Sequence, residues 1–334
     1  MKSSSVVRMA VLVFVVTLGV AARAVQFGVN PYGNILGTGS MSSNGMYGAS
    51  SAQWHDLMRT APYQAYPTVL YYEERWTTPQ DFDAIFLTRE RVVGGTIMKA
   101  VTPGGAFDTA VESFSFLGAE PQFLHASTAN GGGAYGVRVE VNVTKNNDYF
   151  QMADMEFLAQ DPGANIALGA TTIYSSPAWS AYGTGEVTDG NLVSARRAPT
   201  TGTEAWVGWE FPEDASQWVR ALRVSSSYQH GAAWGWHNFN LQVKQNGVWN
   251  DLGQASLPST EEFHWINFET DIEIQGVRLY GSDLLGNNPV RSGGGLIIDD
   301  IFAYAGVNPI PEPATAVLAA AGALVLLRRR SPRG

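Results

Sequence analysis

Between Val25 and Asn308 the apolar residues come in short alternating runs, and no segment sustains the spacing of an amphipathic helix. Phe82–Leu87, Val137–Val143, Trp206–Phe211, Ala221–Ser225, Phe239–Val243, Val277–Tyr280 and Leu296–Tyr304 read as strands bounded by Gly, Asn, Asp or Pro. Short strands punctuated this evenly predict an all-β sandwich or jelly roll. Only the two ends break the rhythm, with uncharged apolar stretches at Met9–Val20 and Ala314–Leu327.

The strands fall into two matching series. In the first, Tyr71-Tyr-Glu-Glu-Arg-Trp is followed by Phe82-Asp-Ala-Ile-Phe-Leu, then Gly136-Val-Arg-Val-Glu-Val and Phe150-Gln-Met-Ala-Asp-Met-Glu-Phe. In the second, Trp206-Val-Gly-Trp-Glu-Phe-Pro leads to Trp218-Val-Arg-Ala-Leu-Arg-Val, Gly276-Val-Arg-Leu-Tyr and Leu296-Ile-Ile-Asp-Asp-Ile-Phe-Ala-Tyr. Each series runs from an aromatic strand through an apolar strand to a Gly-Val-Arg strand and an acidic closing strand. A tandem repeat with its boundary near Gln160 follows.

The apolar ends carry addresses. Lys2 and Arg8 precede Met9–Val20, and Ala22-Arg23-Ala24 supplies a small-x-small site for signal peptidase. Cleavage after Ala24 would leave Val25 first. At the other end Pro311-Glu312-Pro313 precedes the uncharged run 314–327, which Arg328, Arg329 and Arg330 close. Fourteen residues rise roughly 21 Å as a helix, short of a ~30 Å hydrocarbon core, so the run predicts a marginal, transient anchor with its arginines cytoplasmic. The order of motif, apolar run and arginines resembles the PEP-CTERM sorting signal of Gram-negative, biofilm-forming bacteria. That resemblance implies removal of the tail by an exosortase and delivery to the cell envelope or extracellular matrix.

Removing both ends changes the charge. Residues 1–24 and 314–334 hold seven of the 21 Lys+Arg and none of the 30 Asp+Glu, which leaves the body 25–313 with 14 basic residues and a net charge of −16. Nucleic-acid binding is thereby disfavoured, since it needs neutralising cations. With no cysteine, disulfides and thiolate metal sites are excluded, so stability rests on cores that the 10 Trp help to fill.

No catalytic constellation stands out. His55, His125, His230, His237 and His264 are scattered, and no zinc-binding His pair, nucleophile elbow or phosphate loop occurs. The pairs Glu73-Glu74, Glu261-Glu262 and Asp299-Asp300 would point to opposite faces of a strand, which does not suit an acid/base couple. The body therefore reads as non-catalytic.

The second series resembles discoidin domains (coagulation-factor type C) and the wider galactose-binding-like jelly roll. Asn165-Ile-Ala-Leu-Gly resembles the opening strand, Val187-Thr-Asp-Gly-Asn the turn before the first loop, and Phe239-Asn-Leu-Gln-Val, Val277–Tyr280 and Ile298–Tyr304 the later strands. Asn34-Ile-Leu-Gly offers a counterpart opening in the first series. The expected organisation is a signal peptide over 1–24, β-sandwich domains over 25–150 and 151–306, and a sorting segment over 307–334 with its basic end at 328–334.

Two sets of site residues follow. Trp234, Trp236, His237 and Asn238 form the densest aromatic cluster, and Trp179 lies in a Gly/Ser-rich loop. Indoles pack on the C–H faces of sugars while His and Asn bind hydroxyls, so these are the expected glycan contacts, with one of the Trp234/Trp236 pair packing inward. The resemblance implies a structural Ca²⁺ beside Asp189 and Asn191, with Asp299, Asp300 or Glu156 completing it, and oxygen donors of this kind suit that ion. The partners expected are a glycan of the extracellular matrix, signal peptidase, exosortase and, transiently, the membrane. A purely structural protein binding other proteins is the alternative, and a polysaccharide-degrading enzyme a more distant one.

Overall fold

The computed structural model describes residues 25–43, 46–47, 58–60, 69–89, 92–115, 122–143, 151–152, 155–175, 180–182, 184–192, 195–197, 205–212, 215–226, 235–258, 263–281 and 297–307. Both sorting ends, with Ala22, Ala24, Pro311–Pro313 and Arg328–Arg330, lie outside these residues.

The described chain is built of strands. The first series contains β1 (Val25–Phe27), β2 (Ser40–Ser43), β3 (Met46–Tyr47), β4 (Met58–Thr60), β5 (Val69–Gln80) and β6 (Ala84–Arg89). It continues through β7 (Val92–Ala100), β8 (Thr109–Ser115), β9 (Gln122–Ser127), β10 (Ala134–Val143), β11 (Gln151–Met152) and β12 (Met155–Leu158). The second contains β13 (Thr171–Tyr174), β14 (Ser180–Tyr182), β15 (Ala195–Arg197), β16 (Ala205–Glu210), β17 (Gln217–Ser225) and β18 (Asn238–Gln245). It closes with β19 (Val248–Ser256), β20 (Phe263–Ile274), β21 (Gly276–Gly281), β22 (Ile297–Ile298) and β23 (Asp300–Ala305). The strand expected over Leu296–Tyr304 is interrupted at Asp299, whose N–H donates to the Ser225 carbonyl at 3.0 Å.

The same wiring occurs twice. One five-stranded sheet has the order β2-β5-β10-β7-β8 and the other β13-β16-β21-β18-β19. Taken in chain order within each series, these sequences of neighbours coincide strand for strand. The smaller sheets also correspond: β9-β6-β12 has the order of β20-β17-β23, and β3-β4-β11 that of β14-β15-β22. From β5 to β12, as from β16 to β23, the chain passes back and forth between a five-stranded sheet and its facing sheet, which is jelly-roll connectivity.

One detail repeats at the level of atoms. The Asn34 side-chain oxygen accepts the N–H groups of Leu36 and Phe157, both at 3.1 Å. The Asn165 oxygen accepts those of Ala167 and Ala303, both at 3.0 Å. Each asparagine thus ties the opening turn of its series to the closing strand.

The sheets stack in four layers. Ile85, Leu87 and Phe157 of the β9-β6-β12 sheet pack against Tyr72, Ile97, Val137 and Val139 of the first five-stranded sheet. Leu222, Val224, Ile266 and Ile301 pack against Val207, Trp209, Leu241 and Leu279 of the second. A third cluster then joins the two inner sheets back to back, with Ala84, Phe86 and Leu158 on one side and Ala221, Phe263, Trp265, Phe302 and Tyr304 on the other. Both faces of the inner strands are therefore covered. This is why Ala84–Thr88, Phe263–Phe268 and Asp300–Tyr304 are buried without interruption.

The series also exchange a strand. β1, which begins at Val25, pairs antiparallel with β20 through Val25↔Phe268 and Phe27↔Ile266. The first residues of the body thus complete the four-stranded sheet β1-β20-β17-β23 of the second series.

Candidate functional site

Strand pairing brings several loops to one end of the second sandwich. Ser225, the last residue of β17, stands opposite Phe263 at the start of β20 and Asp300 at the start of β23. Ala205 begins β16 where Gly281 ends β21, and Asn238 begins β18 where Ser256 ends β19. These strand ends therefore share one rim. Trp234 and Trp179 lie outside the described residues.

The described residues beside Trp234 form an anchor. Gly235 makes a parallel bridge to Ile297. Trp236 is 0% exposed and packs edge-on against Phe239, with ring centroids 5.8 Å apart, so it is a core residue. His237 follows at 2% exposure with its Nδ1 2.9 Å from Nε2 of His264, itself 1% exposed. At that distance one imidazole donates and the other accepts, which links the entry of β18 to β20. Asn238 is half-buried. Trp236 thus packs inward, and with His237 it holds the base of the rim.

The carboxylates gather on the opposite side of β17. The Asp299 carboxylate accepts from the Ser225 hydroxyl at 3.0 Å. Asp300 is completely buried, and its Oδ2 accepts the Gly190 N–H at 2.6 Å. Gly190 turns with φ of 69°, a conformation that favours glycine and points this N–H at the carboxylate. Asp189 accepts from the Asn191 N–H and the Thr184 hydroxyl, each at 2.9 Å. The fold therefore brings Asp300, at the start of β23, against the turn that carries Asp189 and Asn191.

Glu156 is engaged elsewhere. Its carboxylate accepts from Trp265 Nε1 at 2.9 Å and lies 3.5 Å from the Arg223 guanidinium, between the two inner sheets. Among the described residues no three His, Cys, Asp or Glu side chains gather closely enough to hold a metal. A cation on the Asp189 turn would take two carboxylates and fill its remaining positions with other oxygens. Asp300 suits such an ion: its Oδ1 is buried without a partner, and burial, reinforced by the charges of Asp189 and Asp299, pushes its pKa well above the usual carboxylate range. An oxygen-only donor set matches Ca²⁺.

A second cluster was not legible as a site in the sequence, because it exists only through strand register. On the outer face of the second five-stranded sheet, Arg278 lies opposite Gly208 on β16 and Gln242 on β18. Its guanidinium stands 4.3 Å from the Trp249 ring centre, 5.1 Å from Trp206 and 6.0 Å from Tyr280. The Arg278 Nε donates to Gln242 Oε1 at 2.7 Å. In the first sandwich the corresponding arginine of Gly-Val-Arg, Arg138, stands opposite Glu73 and bonds its carboxylate through Nε at 2.8 Å.

No family model matches the chain, and no curated protein matches it. Among solved structures it is similar to a fucolectin from striped bass serum, at 14% identity and a TM-score of 0.33, covering 83% of this chain and 99% of that one. A family 32 carbohydrate-binding module from Streptococcus pneumoniae EndoD gives 17% identity and a TM-score of 0.34, over 43% of this chain and 100% of that one. The CBM32-1 and CBM32-2 domains of Clostridium perfringens ZmpB give 10% identity and a TM-score of 0.29, over 82% and 94%. Superpositions this loose leave the assignment of function to the chain's own residues.

Proposed function

We propose that the protein is a non-catalytic glycan-binding component of an extracellular matrix, built from two tandem copies of one galactose-binding-like jelly roll. Its glycan site is the loop rim of the second copy. The observation that carries this reading is the anchored rim: Trp236 in the core and the His237–His264 bond fix the strand entry two residues from Trp234. A rigid base with an indole beside it is how proteins present aromatic rings to sugars at low entropic cost. Trp234 and Trp179 supply stacking surface, and Asn238 a hydroxyl partner.

A Ca²⁺ ion on Asp189, Asn191 and Asp300 completes the rim as a structural element, stiffening the turn next to β23. The sorting ends give the address: signal peptidase cleaves after Ala24, an exosortase acts at Pro311-Glu312-Pro313, and the processed body is released outside a Gram-negative cell. Two measurements test these claims. A glycan array probed with the processed body, with and without calcium, should show retention on a restricted set of glycans, and no retention under either condition would defeat the binding reading. Mass spectrometry of secreted protein should give Val25 as its first residue and a terminus close to Pro313; an intact tail would defeat the sorting claim.

A further inference from the structure

The two sandwiches carry the same arginine on their outer faces and treat it differently. In the first, Arg138 is consumed: Glu73 accepts from both its Nε and Nη2, and the guanidinium lies over Tyr71 at 4.3 Å and Phe107 at 4.5 Å. In the second, the position of Glu73 is taken by Gly208, which pairs with Arg278 across the strands. A Cβ at Gly208 would stand 1.9 Å from the Val277 carbonyl oxygen, so no side chain fits there. The backbone beside Arg278 is consequently bare. Among the described residues no carboxylate lies within ion-pair distance of Arg278, and its only hydrogen bond is the one from Nε to Gln242. Its terminal nitrogens are thus unclaimed.

The surroundings are those of a ligand site rather than of a solvated charge. The ring centres of Trp206, Tyr280 and Trp249 all lie within 6.0 Å of the guanidinium. Burial by these rings lowers the Arg278 pKa from its ordinary value, opposed by Tyr280 and Glu210. The nearest acid on the same strand face, Glu210, is neutralised by Lys244 at 2.9 Å. A planar fork of donors set among aromatic rings, beside the bare backbone of Gly208, suits a ring carrying a carboxylate, which the fork grips while an indole stacks on the ring.

We propose that the outer face of the second five-stranded sheet is a second glycan site, selective for sugars bearing a carboxylate, with Arg278 as the carboxylate fork and Trp206 as the stacking ring. It rests on the glycan-binding reading of the protein but uses none of the rim residues. Short oligomers are its natural ligands, because a body of net charge −16 repels long polyanions.

The test is a calorimetric titration of the processed body with tri-galacturonate and with its methyl ester. Wild type should bind the acid and lose about tenfold or more in affinity for the ester, in line with the strength of a charge-assisted hydrogen bond. Arg278→Gln should lose the acid to the same extent, and Arg278→Lys should recover only part of it, since a point charge cannot replace the fork. Equal melting temperatures of wild type and Arg278→Gln serve as the folding control. Equal binding of acid and ester, equal binding by wild type and Arg278→Gln, or no binding of tri-galacturonate would each overturn the proposal. Trp234→Ala separates the two sites: it should leave the uronate affinity unchanged even where neutral glycans are lost.

Discussion

Arg223 shows how much a single residue's role depends on what covers it. On β17 it alternates with Leu222 and Val224, which face the second core, so by period alone it points to solvent. Instead it is completely buried between the inner sheets, over Phe263 at 4.4 Å and Phe86 at 5.1 Å, and paired with Glu156. Burial pulls its pKa down to about 10, so it remains charged at neutral pH. Arg223→Met leaves the Glu156 charge without its cation, and removing one partner of a buried pair costs about 3–5 kcal/mol. Glu156→Gln combined with Arg223→Met should recover much of that loss in thermal melts, whereas additive losses would show that the two side chains act independently. Asp300 belongs to the same scale. Its raised pKa favours the neutral carboxyl in the fold, a contribution to stability that is full below the ordinary carboxylate pKa and lost as pH rises through the raised value. Calcium bound as proposed would oppose that loss, so a calcium-induced rise in Tm should be larger at pH 8 than at pH 5. A rise independent of pH, or none, would remove the ion from this turn.

At the scale of elements the strands were the most legible part of the chain. Trp206–Phe211 appears as Ala205–Glu210 and Phe239–Val243 as Asn238–Gln245, because alternation and turn residues both survive into the fold. What could not be read was which strand lies beside which: β1 joins the far sandwich through β20, and nothing local in Val25–Phe27 selects that partner. The Arg278 cluster was hidden likewise, since Trp206, Arg278 and Trp249 meet only across strands separated by tens of residues. Trp236 illustrates the opposite difficulty, an indole in a Gly-rich loop whose sequence context cannot distinguish core from rim. The repeated asparagines give an element-scale test. Asn34→Ala and Asn165→Ala each strand two backbone N–H groups, so each should cost about 1–3 kcal/mol, and near-neutral effects at both would show that the opening turns do not need this tie.

For the whole molecule, the back-to-back packing of the inner sheets decides how it behaves. Phe86 stacks on Trp265 with ring centres 5.9 Å apart and on Tyr304 at 5.8 Å, so one apolar cluster belongs to both sandwiches. Together with β1 it couples them into a single unit, and calorimetry should give one cooperative unfolding transition. Phe86→Ala should lower it as a whole by about 3–5 kcal/mol, and separate endotherms in the wild type would contradict the coupling. A four-layer body presents its strand ends and its outer faces in fixed directions, which suits the proposed role of holding glycan without transforming it. The most direct test of that claim is native affinity electrophoresis of the processed body through gels cast with neutral polysaccharides, comparing wild type with Trp234→Ala at equal melting temperature. Retardation of the wild type that disappears in Trp234→Ala is the predicted result; free migration of both proteins, or equal retardation of both, would contradict it.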